Sequence, residues 1–377
     1  MIVKRLELTD YRNYESLEIE FADGSNILYG NNAQGKTNIL EAVYLSGTTK
    51  SHRGSKADEM IRLSSNEAHI RVYIVRDGID HKIDYHLVRG GKKKNIAIDG
   101  TAVKKYSEIY SLMSVVSFSP EDLSIVKNGP AERRNFMDRE LCQLDKIYLF
   151  HLSNYNKALV QRNALLRQMA GDPTLSDMLQ MWDDQLITNG EKIIALRKQF
   201  IEEIGAIAKE IHKKLTNEEE TLILLYEPEV TEEEFADKLR QARSRDIAAK
   251  MTTVGPHRDD ICFMIQRPEK DAEDVRKYGS QGQQRTSALS LKLAEIELVK
   301  QKIKDAPIIL LDDVLSELDR KRQKQLLDSI EGMQTILTCT GLEEFVDRQK
   351  DENKLFLFEA YRSKKRKRKS RKQRKKS

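Results

Sequence analysis

The chain has 377 residues, of which 33% are charged and 39% hydrophobic, which bounds it to one large domain or two ordinary ones with long solvated helices around a core. Its net charge is +5, no apolar run is long enough to span a bilayer, and the start MIVKRLELTDYRNYESLEIEF alternates like a strand with no signal-peptide core, which sets aside a membrane or secreted protein. Cys142, Cys262 and Cys339 lie far apart with no CxxC pair, so a disulfide scaffold or cysteine zinc site is set aside and a reducing, cytoplasmic setting is expected.

Residues 1–127 read as strands with one clear helix. Leu6, Leu8, Leu17, Ile19 and Phe21 alternate, as do Ile70, Val72 and Ile74, then Ile83, Tyr85 and Leu87. Gly78, Gly90-Gly91 and Asp99-Gly100 punctuate them as hairpin turns. Residues 112–118 are a further apolar run closed by Ser119-Pro120. From 128 to 250 the pattern turns helical. Leu149, Leu152, Tyr155 and Leu159 recur at helical spacing, as do Ile193, Leu196, Phe200, Ile204, Ile207, Ile211 and Leu215. Gly171-Asp172-Pro173 separates the two long helices, and Thr231 with Glu234 forms a capping box for a third. Strands return over 261–265, 307–311, 335–339 and 355–358, with a helix over 283–304. The expected fold is α/β, a head built from 1–127 and 251–361 with an inserted antiparallel helical arm at 128–250. Residues 362–377 hold twelve Lys or Arg and no acid, leaving the body net acidic. A run of that kind is expected to be disordered and able to hold a polyanion by counterion release.

The chemistry concentrates in two segments. Gly30-Asn31-Asn32-Ala33-Gln34-Gly35-Lys36-Thr37 matches GxxxxGK[ST] between an apolar strand and a helix. Glycines let backbone N–H groups turn toward phosphate oxygens, and the new helix aims its positive end at them. Lys36 is placed for the β- and γ-phosphates of ATP and Thr37 for Mg²⁺. Four apolar residues of the segment 307–311 lead into Asp312 and Asp313, a buried parallel strand ending in carboxylates. Asp312 is expected to complete the Mg²⁺ site and Asp313 to orient the attacking water.

Between these segments, Tyr278-Gly279-Ser280-Gln281-Gly282-Gln283-Gln284-Arg285 resembles the signature motif of the ABC-type ATPases. The run 314–319, with Ser316 and Asp319, looks like their D-loop. In that superfamily the signature faces the nucleotide of the opposite subunit. The resemblance thus implies that Ser280, Gln281, Gly282 and Gln283 contact ATP in trans, in an ATP-dependent homodimer. Tyr11-Arg12-Asn13-Tyr14 and Gly255-Pro256-His257-Arg258-Asp259-Asp260 add to the signature and make residues 1–361 similar to the RecF family, SMC-like heads with a short arm. That resemblance implies ATP-dependent binding of double-stranded and gapped DNA and weak ATP hydrolysis. It also implies action in repair and recombination, loading RecA with RecO- and RecR-type mediator proteins. Nothing is carried over to the basic tail.

The chain departs from the ABC pattern in places. Asp313 stands where many such ATPases have glutamate, and Thr340-Gly341 follows the next strand where a switch histidine is usual. Ser119-Pro120-Glu121-Asp122 lies where a glutamine loop is expected, without a glutamine. These point to slow turnover, or to an ATP-binding scaffold that never cleaves its nucleotide. A transporter ATPase subunit is argued against by the long insert, and a coiled-coil nuclease partner by the insert being too short. Arg12 and Asn13 have two readings, contacts to base or ribose and a charged turn. The His257–Asp260 segment reads as a catalytic or metal cluster or as an internal salt-bridged turn, and Ser51-His52-Arg53-Gly54 as a DNA-facing or solvated loop. Trp182 reads as core.

Overall fold

The computed structural model describes residues 1–91, 95–168, 176–340 and 354–358. The basic tail, the expected break at Gly171-Asp172-Pro173 and Gly341 lie outside them. The chain opens with β1 (Ile2–Tyr11) and β2 (Tyr14–Glu20), an antiparallel pair. Next come β3 (Ser25–Gly30), α1 (Lys36–Thr48) and the short α2 (Ala57–Met60). β4 (Glu67–Arg76), β5 (Ile79–Val88), β6 (Asn95–Ile98) and β7 (Thr101–Ala102) then complete a six-stranded antiparallel sheet ordered β2-β1-β4-β5-β6-β7. Its expected inward residues Leu6, Leu8, Ile70, Val72, Ile83 and Tyr85 are buried. Asp77-Gly78 and Asp99-Gly100 take positive φ at both positions, the turn whose twist suits a two-residue hairpin.

The strands α3 (Ser107–Leu112) precedes and follows belong to different sheets: β8 (Val115–Phe118), after it, joins the parallel one. α4 (Leu123–Lys127) and α5 (Pro130–Leu144) lead to the arm helices α6 (Lys146–Gln168) and α7 (Ser176–Leu215), the latter of 40 residues. Residues 128–250 are not helical throughout, as the pattern had suggested. Thr221–Glu227 is a strand, β9, followed by α8 (Phe235–Gln241) and α9 (Arg243–Ala249). β9 pairs antiparallel with β10 (Asp260–Gln266), Leu224 opposite Phe263. A short unbroken apolar run such as Leu222–Leu225 has no period of its own, so only its partner settles its state. Only half of the expected Thr231–Glu234 capping box forms: the Glu234 amide donates to Thr231 Oγ1, but the Glu234 carboxylate accepts the Thr231 hydroxyl rather than its amide, and α8 begins at Phe235 with Glu234 at its cap position.

β11 (Glu273–Asp274) and α10 (Val275–Tyr278) precede α11 (Gln281–Ile303), then β12 (Ile308–Asp312), α12 (Arg320–Ser329), β13 (Thr335–Cys339) and β14 (Lys354–Phe358). The second main sheet is parallel, ordered β14-β3-β13-β12-β8. Two of its strands come from the first third of the chain and three from the last, so the head is made by both ends. Helix α1 is buried almost all round, Ile39 to Leu45 included, as a helix between two sheets must be. One apolar cluster runs from the antiparallel sheet through α1 to Ile308, Leu310 and Ile336. Gln334 joins the chain ends: its Oε1 accepts from the Val3 amide at 2.7 Å, and its Nε2 donates to the carbonyls of Val3 (2.7 Å) and Ala22 (2.8 Å).

The arm is tied by buried charge as well as by its apolar stripe. Arg162 of α6 is fully buried between Asp183 of α7 (2.6 Å) and Asp246 of α9 (2.7 Å), and also donates to Thr252 Oγ1 at 2.9 Å. Arg197 of α7 donates to Asp138, Tyr148 Oη, Asp259 and the Pro256 carbonyl. Trp182 packs against the apolar clusters, as read from the sequence. Among the described residues no helix is long and apolar enough to cross a membrane.

Candidate nucleotide site

Strand β3 delivers the glycine loop to the open end of the parallel sheet, and α1 starts directly after it. The loop needs backbone that side chains resist: φ is +141° at Gly30, +63° at Ala33 and +96° at Gly35. A Cβ at Gly35 would also stand 2.5 Å from Asn13 Nδ2 and 2.6 Å from Tyr14 Oη, so glycine is required there on two grounds. Lys36 folds back over the loop and donates to the carbonyls of Gly30 (2.6 Å) and Asn31 (2.8 Å). Burial lowers its pKa, and the neighbouring Cys339, Asp313 and Asp312 oppose that shift.

Strand β12 brings Asp312 to the same end. Its Oδ1 accepts two hydroxyls, Thr37 Oγ1 at 2.9 Å and Thr338 Oγ1 at 2.8 Å. Asp313 follows with φ +54°, its amide donating to Thr338 Oγ1 at 3.0 Å. Loop, carboxylates and the end of β13 enclose a cavity of about 350 Å³ lined by Asn32 to Asn38, Asn13, Arg53, Asp312, Asp313 and Thr338 to Thr340, within the range of small-molecule sites. The glycine loop and the Asp312-Asp313 pair, 275 residues apart in sequence, thus converge as expected.

Asn13 lies at the rim, donating to the Gln34 carbonyl at 3.3 Å and accepting from Asn38 Nδ2 at 2.8 Å. Arg12 faces elsewhere. Its guanidinium grips the buried Glu41 of α1 at 2.6 and 2.8 Å, and reaches Ser55 Oγ and the Glu59 carbonyl. Burial alone would raise the Glu41 pKa, and hydrogen bonds from Arg12, Ser51 and Tyr11 outweigh it, so the carboxyl is held below its ordinary value. Arg12 is therefore placed as the anchor of α1, under a φ of +53°, and is not among the residues lining the cavity.

The loop 51–54 divides in the same way. Ser51 donates to Glu41 at 2.6 Å and His52 packs edge-on against Tyr44, while Arg53 enters the cavity lining and donates to Asn38 Oδ1 at 3.3 Å. The sequence places Arg53 in a DNA-facing or solvated loop rather than at the nucleotide, and it does not single out Asn38 or Thr338. Thr338 could have been found only from strand register, since it sits directly opposite Asp312.

The signature stands apart from the cavity. Ser280 caps α11, its Oγ accepting from the Gln283 amide at 3.2 Å while Gln283 Oε1 accepts from the Ser280 amide at 2.8 Å. Ser280, Gln281 and Gly282 are exposed, and Tyr278 beside them is 73% exposed. Ser316 and Asp319 are exposed as well. Ser316 Oγ donates to the Asp313 carbonyl at 2.7 Å, and Asp319 caps α12 by accepting from the Arg322 amide at 2.9 Å.

The segment 255–260 is a structural knot. Buried Asp259 accepts from Arg197 and Tyr226, and Asp260 pairs with Arg133. His257 Nε2 faces the Thr252 carbonyl at 3.1 Å and so donates to it, leaving Nδ1 to accept from Tyr155 Oη at 2.7 Å. Burial lowers its pKa to about 4, so it is held neutral. The salt-bridged reading of this segment is the one realised.

Comparison with known proteins bears on the family and the fold. The model of the RecF/RecN/SMC N terminal domain matches residues 2–357. The chain is 59% identical over 356 residues to the "DNA replication and repair protein RecF" of Lachnoclostridium phytofermentans, covering 94% of this chain and 97% of that protein. It is also similar to a solved structure of the recombination mediator protein RecF with ATP in the RecFOR pathway, at 34% identity and a TM-score of 0.85 over 91% of this chain and 93% of that one. An Smc head domain with an extended coiled coil, bound to part of ScpA from Pyrococcus furiosus, shares the fold at 19% identity and a TM-score of 0.50, covering 90% of each chain. With a family model spanning nearly its full length and relatives of this identity, the chain belongs to the RecF family of DNA replication and repair proteins, built on the head shared with SMC proteins.

Proposed function

We propose that this protein is an ATP-gated, double-stranded DNA-binding repair protein. Two copies close around ATP, hold DNA at single-strand gaps and support RecA loading with RecO- and RecR-type partners, with slow hydrolysis. One observation carries the reading. The glycine loop and Asp312 share a cavity, whereas Ser280 to Gly282 are exposed outside it. A signature exposed in its own chain is complete only if it meets the cavity of another copy. The relatives' description as RecF, and a neighbour described with ATP in the RecFOR pathway, support the same reading.

The residues fit the chemistry. The N-terminus of α1 opens on the cavity, where its dipole favours anions. Lys36, folded on two loop carbonyls, has its charge at the position where phosphate oxygens enter. Thr37 Oγ1 and Asp312 Oδ1 are hard oxygen donors 2.9 Å apart and would hold Mg²⁺, which when bound supplies charge neutralisation at the β- and γ-phosphates. Thr338 fixes the Asp312 carboxylate by a second hydroxyl. Asn13 and Arg53 close the rim and are the residues placed to meet the rest of the nucleotide. Asp313 lines the cavity on a shorter side chain than glutamate, and Thr340 stands where a switch histidine is usual. That pair favours slow hydrolysis, and equally a second reading, an ATP-binding scaffold without turnover. Measuring phosphate release with and without DNA separates the two.

Gating is tested by light scattering with ATP and with ADP, each with and without double-stranded DNA. The wild type is expected to dimerise with ATP alone and to retain DNA in that state. Lys36→Arg and Asp312→Ala are expected to remain monomeric and to lose nucleotide-dependent retention. Retention in ADP as strong as in ATP would sink the gate.

A further inference from the structure

The side-chain amide of Gln283 is held at both ends. Its Oε1 accepts from the Ser280 amide and closes the cap of α11, while its Nε2 donates to Glu220 Oε1 at 2.6 Å. Glu220 lies in the turn that follows arm helix α7. There its amide donates to Thr216 Oγ1 at 3.3 Å, and Thr216 donates to the His212 carbonyl in the last turn of α7 at 2.9 Å. A second element holds the same turn. Lys321, in the helix that follows the D-loop, donates to the Leu215 carbonyl at 3.1 Å and to Asn217 Oδ1 at 2.8 Å. The end of the arm is thus bonded both to the helix that carries the signature and to the helix that follows Asp319.

We propose that Glu220 is a positioning residue for the signature: it fixes the orientation of the Gln283 amide to the base of the arm, so that a shift of α7 is delivered to the contact made in trans. An ionised carboxylate only accepts, so it selects the NH₂ end of Gln283 and leaves the carbonyl end for the Ser280 amide. Without that acceptor the amide is free to turn, and an NH₂ group facing the Ser280 N–H opens the cap. Glu220 is only 16% exposed, where a charge-assisted hydrogen bond keeps much of its strength. The inference rests on the composite-site reading above and deepens it.

Glu220→Ala and Glu220→Gln separate the roles. Two quantities are measured in the full chain: ATP binding at dilutions where the protein is monomeric, and self-association against protein concentration at saturating ATP. Glu220→Ala should bind ATP as the wild type does, because the glycine loop is untouched, but need about tenfold more protein to dimerise, the worth of one hydrogen bond to a charged group. Glu220→Gln keeps an acceptor oxygen but loses the charge and adds a donor, so it should recover only part of the loss. Thr216→Val, which loosens the same turn but keeps the carboxylate, should weaken dimerisation in the same direction. Wild-type association by Glu220→Ala overturns the proposal, and so does an equal loss in Glu220→Ala and Glu220→Gln, which would assign the effect to charge. A wild type that binds ATP yet stays monomeric overturns the composite site and this inference with it.

Discussion

At the scale of single residues, the buried imidazole of His257 makes the clearest demand. It is neutral in the folded protein, with a pKa lowered to about 4 from 6.5, mainly by burial. The unfolded chain therefore binds a proton that the folded chain refuses as pH falls below about 6.5. Stability from this group is full above that value, declines as pH falls toward 4, and levels off below it. The difference amounts to about 3 kcal/mol at most. Urea unfolding at pH 7 and pH 5 should show the loss, and His257→Gln, which keeps polar atoms but cannot titrate there, should flatten it. An unchanged slope in the variant would assign the pH effect to other groups.

Residue roles were unequally legible for a physical reason. Gly30, Gly35, Lys36 and Thr37 are fixed by local backbone demands, so their spacing alone exposes them. Arg12 is defined by Glu41, a single acid between the apolar residues Ile39-Leu40 and Ala42-Val43 of α1 that carries no pattern of its own. Arg53 owes its place to a loop that returns past the start of α1, and loop paths leave no period in a sequence.

At the scale of elements, the arm depends on a charge that water cannot reach. Arg162 joins α6, α7 and α9 through two buried carboxylates. Removing it leaves Asp183 and Asp246 buried, although Arg243 still pairs with Asp183. Arg162→Ala should cost about 3–5 kcal/mol. Hydrogen exchange should quicken in α6 and α9 while the amides of α1 keep their protection; uniform quickening through the head would show that the two parts unfold as one. The long helices and the hairpins of the antiparallel sheet were readable because each period runs for many residues. β9 was not, since a short apolar strand declares itself only through its neighbour β10.

At the scale of the whole molecule, the parallel sheet decides how the chain must be kept together. β3 pairs only with β13 and β14, and β8 only with β12, among the described residues. A fragment of residues 1–127 therefore keeps its antiparallel sheet but loses every partner of these two strands. It is expected to show no sharp thermal transition and to expose one face of α1 to a hydrophobic dye. A cooperative melt would contradict the two-ended head. The α/β class and the insertion between its halves could be read from the order of patterns, whereas which strands neighbour one another could not, because strand order in a parallel sheet is not written in the strands themselves.

The same sheet sets a clock on synthesis. Ser25 finds Thr335 opposite it, and Asn26 finds Lys354. At roughly 5–20 residues per second, the ribosome takes on the order of 15–60 s to deliver the first of these partners. Through that interval β3, which carries the glycine loop, lacks both of its partners in the parallel sheet. The nucleotide pocket is thus finished only when nearly all of the chain has been translated, and a stall upstream of β12 leaves a nascent chain with its phosphate loop made but no carboxylate to complete the site.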